Sequence, residues 1–288
     1  MLMVKFEKQK SISIILLFFV VFLIGGTVSM VLAEEKTSVV QSPELTGLLL
    51  KDMDFSDAEF TAALKLAGAL KSSPQLKQLT LRRLPKITFI PKIDTLRNLS
   101  LIELNITGKM FDSILEMKDL TALDLRFCCG ITPEQYKRLN LLPKLKDLKI
   151  GGYTVNDEVL KTITPLPNLT GLTLDDTAVT AKGLADYIER SPSAKTLQMF
   201  VLNKGTLTDD DLLPLNRLPK LTRLVVSDSM VSGSFLGKWA ADETTRPKLN
   251  RLSLKNTLLN EENAEHLKKY KELSETILTG TIAEATSK

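Results

Sequence analysis

One pattern, Leu-x-x-Leu-x-Leu, recurs along most of this chain and constrains its fold more than any other feature. The clear copies are Leu120, Leu123, Leu125; Leu145, Leu148, Ile150; Leu169, Leu172, Leu174; Leu197, Phe200, Leu202; Leu221, Leu224, Val226; and Leu249, Leu252, Leu254. Weaker copies precede them at Leu45, Leu48, Leu50; Leu76, Leu79, Leu81; and Leu99, Ile102, Leu104. A degenerate copy starts at Leu273. From Leu120 onward the spacings are 25, 24, 28, 24, 28 and 24 residues, and a period of this length marks a stacked-repeat architecture. Side chains alternate across a strand, so the last two apolar positions of each copy share one face and the residues between them take the other.

The remainder of each unit keeps step with its strand. Three positions after the third apolar residue stands a small or neutral group: Thr107, Cys128, Thr177, Gly205, Ser229 or Thr257. Two further on comes a hydrophobe, as at Val155, Val179, Leu207, Val231 and Leu259, followed by Asn156, Thr180, Thr208, Ser232 and Asn260. These last residues are preferred helix N-caps, because their side-chain oxygens accept the unpaired amides of a first turn. Thr132-Pro133-Glu134 is the same device with proline at the first helical position. Acids crowd several first turns, notably Asp157-Glu158, Asp209-Asp210-Asp211 and Glu261-Glu262, where they complement the helix dipole. Each unit thus reads as strand, turn, capped helix and return.

The unit Leu169-Thr-Gly-Leu172-Thr-Leu174-Asp-Asp-Thr177-Ala-Val179-Thr180-Ala-Lys-Gly-Leu184 resembles the leucine-rich-repeat superfamily, in its helical-backed bacterial and ribonuclease-inhibitor-like types. The asparagine common at the turn of such repeats is replaced here by Thr, Ser, Cys or Gly. The resemblance implies an α/β solenoid of 9–10 repeats, a curved arc with a parallel sheet on the concave face and helices on the convex one. It spans residues 44–282, preceded by a short linker at 34–43 and followed by a tail at 283–288. It also implies binding, of a protein or a glycan, on the concave face.

The first 33 residues read as an address. Lys5, Lys8 and Lys10 precede an apolar run from Ile12 to Ile24, and Val31-Leu32-Ala33 fits a cleavage site for export. The uncharged stretch from Ser11 to Ala33 is equally long enough to cross ~30 Å of hydrocarbon as a retained anchor. Cleavage gives a secreted or cell-envelope recognition module; retention gives a tethered structural or adhesion element, its membrane contact confined to residues 12–33. A mature chain starting at Glu34 or at Met1 separates the two. The net charge is only +4, falling to +2 without residues 1–33, which is far from the concentrated basic stripe of a nucleic-acid binder.

No catalytic constellation emerges, so the expectation is a non-enzymatic chain without cofactor or metal. His266 is the sole histidine and reads as a solvated helix residue; Cys128 and Cys129 are adjacent, Cys128 taking a small core position and Cys129 a loop. Phe235 and Trp239, four apart, read as one core-facing helix side. The outward strand positions supply the candidate site. They are charge-mixed in the middle copies and apolar in copies seven to nine, where Met199, Val201 and Val225 form an exposed patch beside Arg223, Arg251 and Lys255. An apolar centre bordered by arginine is the usual composition of a protein-binding hot spot.

Overall fold

The computed structural model describes residues 22–24, 27–29, 46–66 and 75–286. Two short strands, β1 (Phe22–Ile24) and β2 (Thr27–Ser29), pair antiparallel as a separate ribbon. The rest of the expected export segment, the cleavage position after Ala33 and the linker at 34–43 lie outside the described residues. Among the described residues no helix is long and apolar enough to cross a membrane.

Ten further strands follow: β3 (Gly47–Lys51), β4 (Gln78–Arg82), β5 (Asn98–Ile102), β6 (Ala122–Arg126), β7 (Asp147–Gly151), β8 (Gly171–Asp175), β9 (Met199–Asn203), β10 (Arg223–Ser227), β11 (Arg251–Lys255) and β12 (Glu275–Ile277). They form one parallel sheet in strict chain order. The apolar positions stack in register: Leu48, Leu79, Leu99, Leu123, Leu148, Leu172, Phe200, Leu224 and Leu252 are successive partners, ending on Thr276. All but the terminal threonine are buried and share one continuous core with the apolar sides of the helices. Helices therefore lie across that core from the outward strand residues. Strands sit ~4.8 Å apart whereas packed helices need 8–10 Å, so the strand side is the inner side of the arc.

The third copy is shifted from the sequence expectation. Leu79 pairs with Leu99 and Leu81 with Leu101, so the unit is Leu96, Leu99, Leu101 rather than Leu99, Ile102, Leu104. The first is the literal motif and the second a variant of it, and packing decides between them. Residues 83–95 contain no helix, and Leu84, Ile87, Ile90 and Ile93 fill the core in its place. The short unit pulls the next strand forward, which puts Asn98, Ser100 and Ile102 on the outer face in place of Leu101, Glu103 and Asn105. Thr107 then falls into the cap column and accepts from Met110 N of the helix Gly108–Glu116.

The expected caps form at Thr132, Asn156, Thr180, Thr208 and Asn260. Ser232 does not cap; Gly233, at φ +85°, precedes the helix Ser234–Ala240. The missing cap comes from the preceding repeat. Asp209 accepts the Ser232 amide at 2.8 Å, its hydroxyl at 3.0 Å and the Phe235 amide at 3.2 Å. Asp157 grips Thr180 in the same way, at 2.8 and 2.6 Å, and Asp57 grips Thr88. These helix-start acids bind one repeat to the next as well as complementing a dipole. Phe235 and Trp239 are buried edge to face, centroids 4.7 Å apart, as their spacing implies.

A second column is marked in sequence only in part, by Gly, Asp or Asn at six of its ten positions. Two residues after the last core position of every strand, the backbone is left-handed: Asp52, Arg83, Glu103, Phe127, Asp176, Lys204, Asp228 and Asn256 have φ between +48° and +59°, with Gly152 and Gly280 completing the row. Each amide from Asp52 to Asn256 donates to a carbonyl at the end of the following strand, for example Asp176 to Asn203 at 2.8 Å and Asn256 to Thr279 at 2.9 Å. Left-handed backbone costs an L-residue about 1–2 kcal/mol, and the inter-repeat hydrogen bond offsets about 1 kcal/mol of it. Lys204 is exposed and its side chain has no bonding partner, so it isolates the backbone effect. Lys204→Gly is expected to raise stability by about 0.5–1 kcal/mol, whereas the β-branched Lys204→Val lowers it by more than about 1 kcal/mol. Chemical denaturation checks the pair; equal stabilities would contradict the left-handed assignment.

Candidate functional site on the outer strand face

The outer face carries three parallel rows of side chains, one at each non-core position of the strands. Its two halves differ. In β4 to β8 both arginines are met by acids. Arg82 donates to Glu103 through Nε at 2.9 Å and Nη2 at 2.5 Å. Arg126 is held by Asp124 at 2.8–3.2 Å and reaches across β7 to Asp175 Oδ2 at 2.9 Å. Hydrogen bonding to Asp124, ahead of the charges of both acids, raises the guanidinium's already high pKa. The crossing requires Gly151 beneath it: a Cβ there would stand 3.3 Å from Arg126 Cγ and 2.4 Å from the Asp175 carbonyl oxygen. Asp124 and Asp175 are buried although they face outward, and the Arg126 guanidinium bonded to both lies over them; Thr173 is buried too. A shallow depression of about 270 Å³ runs over β4 to β7, lined by Gln78, Thr80, Asn98, Ser100, Asp124, Asp147 and Lys149 among others.

The other half holds the residues singled out from sequence. Val201 and Val225 are direct partners on β9 and β10, Met199 pairs with Arg223, and Arg223 pairs with Arg251. Phe200 and Leu202 are in the core, so β9 has the expected register. Met199, Val201 and Val225 are half-buried rather than fully exposed, a correction with a local cause for Met199. A Cβ on Gly171 would lie 3.1 Å from Met199 Cε and 3.2 Å from Asp147 Oδ1; the methionine methyl and the carboxylate close over that glycine from either side. Arg251 is half-buried and bridges Glu275 at 3.1 Å. Arg223 and Lys255 are exposed, and their side chains make no hydrogen bond or ion pair among the described residues.

The other chemistry-bearing residues are absorbed by the scaffold. The Cys128 thiol is buried and pushed up to about 12, by desolvation above all, and donates to Leu101 O. Cys129 is exposed, near Asn105 Oδ1 at 3.6 Å. His266 is not the solvated residue expected: it is half-buried against the neighbouring helix, where a Cβ on Gly237 would stand 2.5 Å from its Nε2. In the Asp209–Asp211 run, Asp209 caps the next repeat, Asp210 pairs with Lys238 and Asp211 closes a capping box on Thr208.

One group on this face is left unsatisfied. Asp147 Oδ1 is buried without a hydrogen-bond partner, and desolvation raises its carboxyl pKa, opposed by Lys149 and reinforced by Asp124. A carboxyl whose folded pKa is raised favours the fold below its unfolded pKa, and that contribution is lost as pH rises through the folded value. Asp147→Asn is therefore expected to raise the melting temperature at pH 7, with the gain vanishing near pH 3. Melting curves at the two pH values check it; a gain independent of pH, or a loss at pH 7, would contradict the reading.

No protein-family model matches the chain, and no curated protein does. Among solved structures it is similar to internalin C2 of Listeria monocytogenes, with 22% identity and a TM-score of 0.42 over 67% of this chain and 77% of that one. Internalin inlF of the same organism gives 18% identity and 0.41 over 82% and 81%. A plant peptide hormone receptor, RGFR1 in complex with RGF2, gives 18% and 0.40 over 91% and 44%. Likeness at this level says nothing of ligand or partner. Ten parallel strands in chain order, all but the last built on Leu-x-x-Leu-x-Leu or its apolar equivalents and most followed by a capped helix, make the chain an α/β leucine-rich-repeat solenoid.

Proposed function

We propose that this chain is a non-enzymatic recognition module that binds a protein partner on the outer face of β9 to β11, carried out of the cytosol by residues 1–33. The observation that supports it is the juxtaposition of Met199, Val201 and Val225 with the unpaired Arg223, beside Arg251 and Lys255. In β4 to β8 the two arginines, Arg82 and Arg126, are both met by carboxylates. In β9 to β11 half-covered aliphatic groups lie beside cations that the molecule itself leaves unanswered. Such a surface gains more from a partner than from water, since burying the aliphatic groups contributes about 25 cal/mol per Å² and arginine recurs at interface centres. The polar depression over β4 to β7 adjoins it on the same face and lengthens the surface available to a polypeptide.

Photo-crosslinking in the native host tests this directly. A photoreactive residue at Val201 or Val225 is expected to capture the partner, and one at Lys182, exposed on the helix Ala181–Arg190, is not. Equal capture from all three positions, or capture from Lys182 alone, would move the binding surface off the strand face.

A further inference from the structure

The composition of β9 to β12 also specifies what kind of chain the proposed surface receives, an inference that rests on the reading above. Arg223 and Arg251 are direct partners on adjacent strands, an arrangement that costs stability because like charges stand opposite each other. Only one of the two is relieved from within: Arg251 meets Glu275, while Arg223 meets nothing. Three residues before them, Lys220 and Lys248 are likewise exposed and without ion pairs. Arg126, on the same face, is by contrast clamped by two aspartates. A bare polyanion would satisfy the cations but leave Met199, Val201 and Val225 uncovered. An apolar segment would cover those three and leave the cations desolvated.

We propose that this half of the face takes an extended polypeptide segment combining carboxylate and aliphatic side chains, the aliphatic groups over Val201 and Val225 and a carboxylate at Arg223. Two strand spacings separate β9 from β11, about 10 Å, or roughly three residues of extended chain. The recognised unit is therefore short, an acid beside one or two hydrophobes. Arg223 acts in binding and not in folding, so its loss costs affinity without costing stability.

A library of random peptides of about ten residues, selected against the purified protein, tests this. Peptides recovered with the wild type are expected to carry an excess of Asp and Glu together with aliphatic residues. A recovered peptide should bind roughly tenfold or more weakly to Arg223→Gln and to Val201→Asn, and more weakly again as salt rises from about 50 to about 300 mM. Both variants should melt no lower than wild type. Peptides weakened by Val201→Asn but without acidic excess, or indifferent to Arg223→Gln, would overturn the acidic assignment while leaving the binding surface in place. Peptides indifferent to Val201→Asn, whatever their response to Arg223→Gln, would overturn both. Polyphosphate is the control for a bare polyanion. Binding that is sensitive to Arg223→Gln, indifferent to Val201→Asn and as tight as the peptides' would assign the surface to such a polymer and overturn the polypeptide.

Discussion

The structure depends on one constraint: no repeat can satisfy its own backbone or bury its own apolar face. Every strand of the solenoid hands its hydrogen-bonding edge to the next, and at the far end of each strand the ladder continues through a left-handed residue whose amide reaches the following repeat. Helix starts obey the same rule. Asp57, Asp157 and Asp209 each serve a residue in the next unit, and in the case of Ser234–Ala240 that borrowed carboxylate replaces the local cap. The coupling is to neighbours only, so stability is distributed along the molecule as a sum of interfaces.

This arrangement frees the outer strand face from any duty to the core. Along that face the chain has used its freedom in two ways. In β4 to β8 it meets its arginines with carboxylates, Arg126 lying across Gly151 to join Asp124 and Asp175. In β9 to β11 it has set aliphatic groups in adjacent register positions and left Arg223 without an internal partner. Asp147, with one buried oxygen unpartnered, stands on β7 as an exception within the first half.

Most of the fold was legible because the hydrophobic period and the cap residues point the same way. Leu172 and Leu174 are inward by alternation, Thr180 caps by its hydroxyl, and both outcomes follow from residue type alone. The third copy was misread: Leu96-x-x-Leu99-x-Leu101 is the literal motif and Leu99-x-x-Ile102-x-Leu104 a variant of it, but the first makes a unit shorter than the others, and it closes because Leu84, Ile87, Ile90 and Ile93 fill the core without a helix. The left-handed column was legible only in part: Asp52, Gly152, Asp176, Asp228, Asn256 and Gly280 are types that favour positive φ, and the other four are not. Arg83, Glu103, Phe127 and Lys204 have no preference for positive φ, and the conformation is imposed by the neighbouring strand. At the candidate site, register could be read but exposure could not. Met199 is half-buried because a glycine on the adjacent strand lets it lie down, a relation between residues 28 positions apart in sequence.

Deleting one whole unit tests most directly whether the repeat and its interfaces are the unit of this structure. Removing residues 145–168 joins Lys144 to Leu169, leaves the Leu-x-x-Leu-x-Leu register unbroken and lets β6 pair with β8. Thermal unfolding followed by circular dichroism should then give a single cooperative transition with secondary-structure content per residue unchanged. Removing residues 145–156, half a unit, should abolish that transition. Equal tolerance of the two deletions, or equal collapse, would contradict the account.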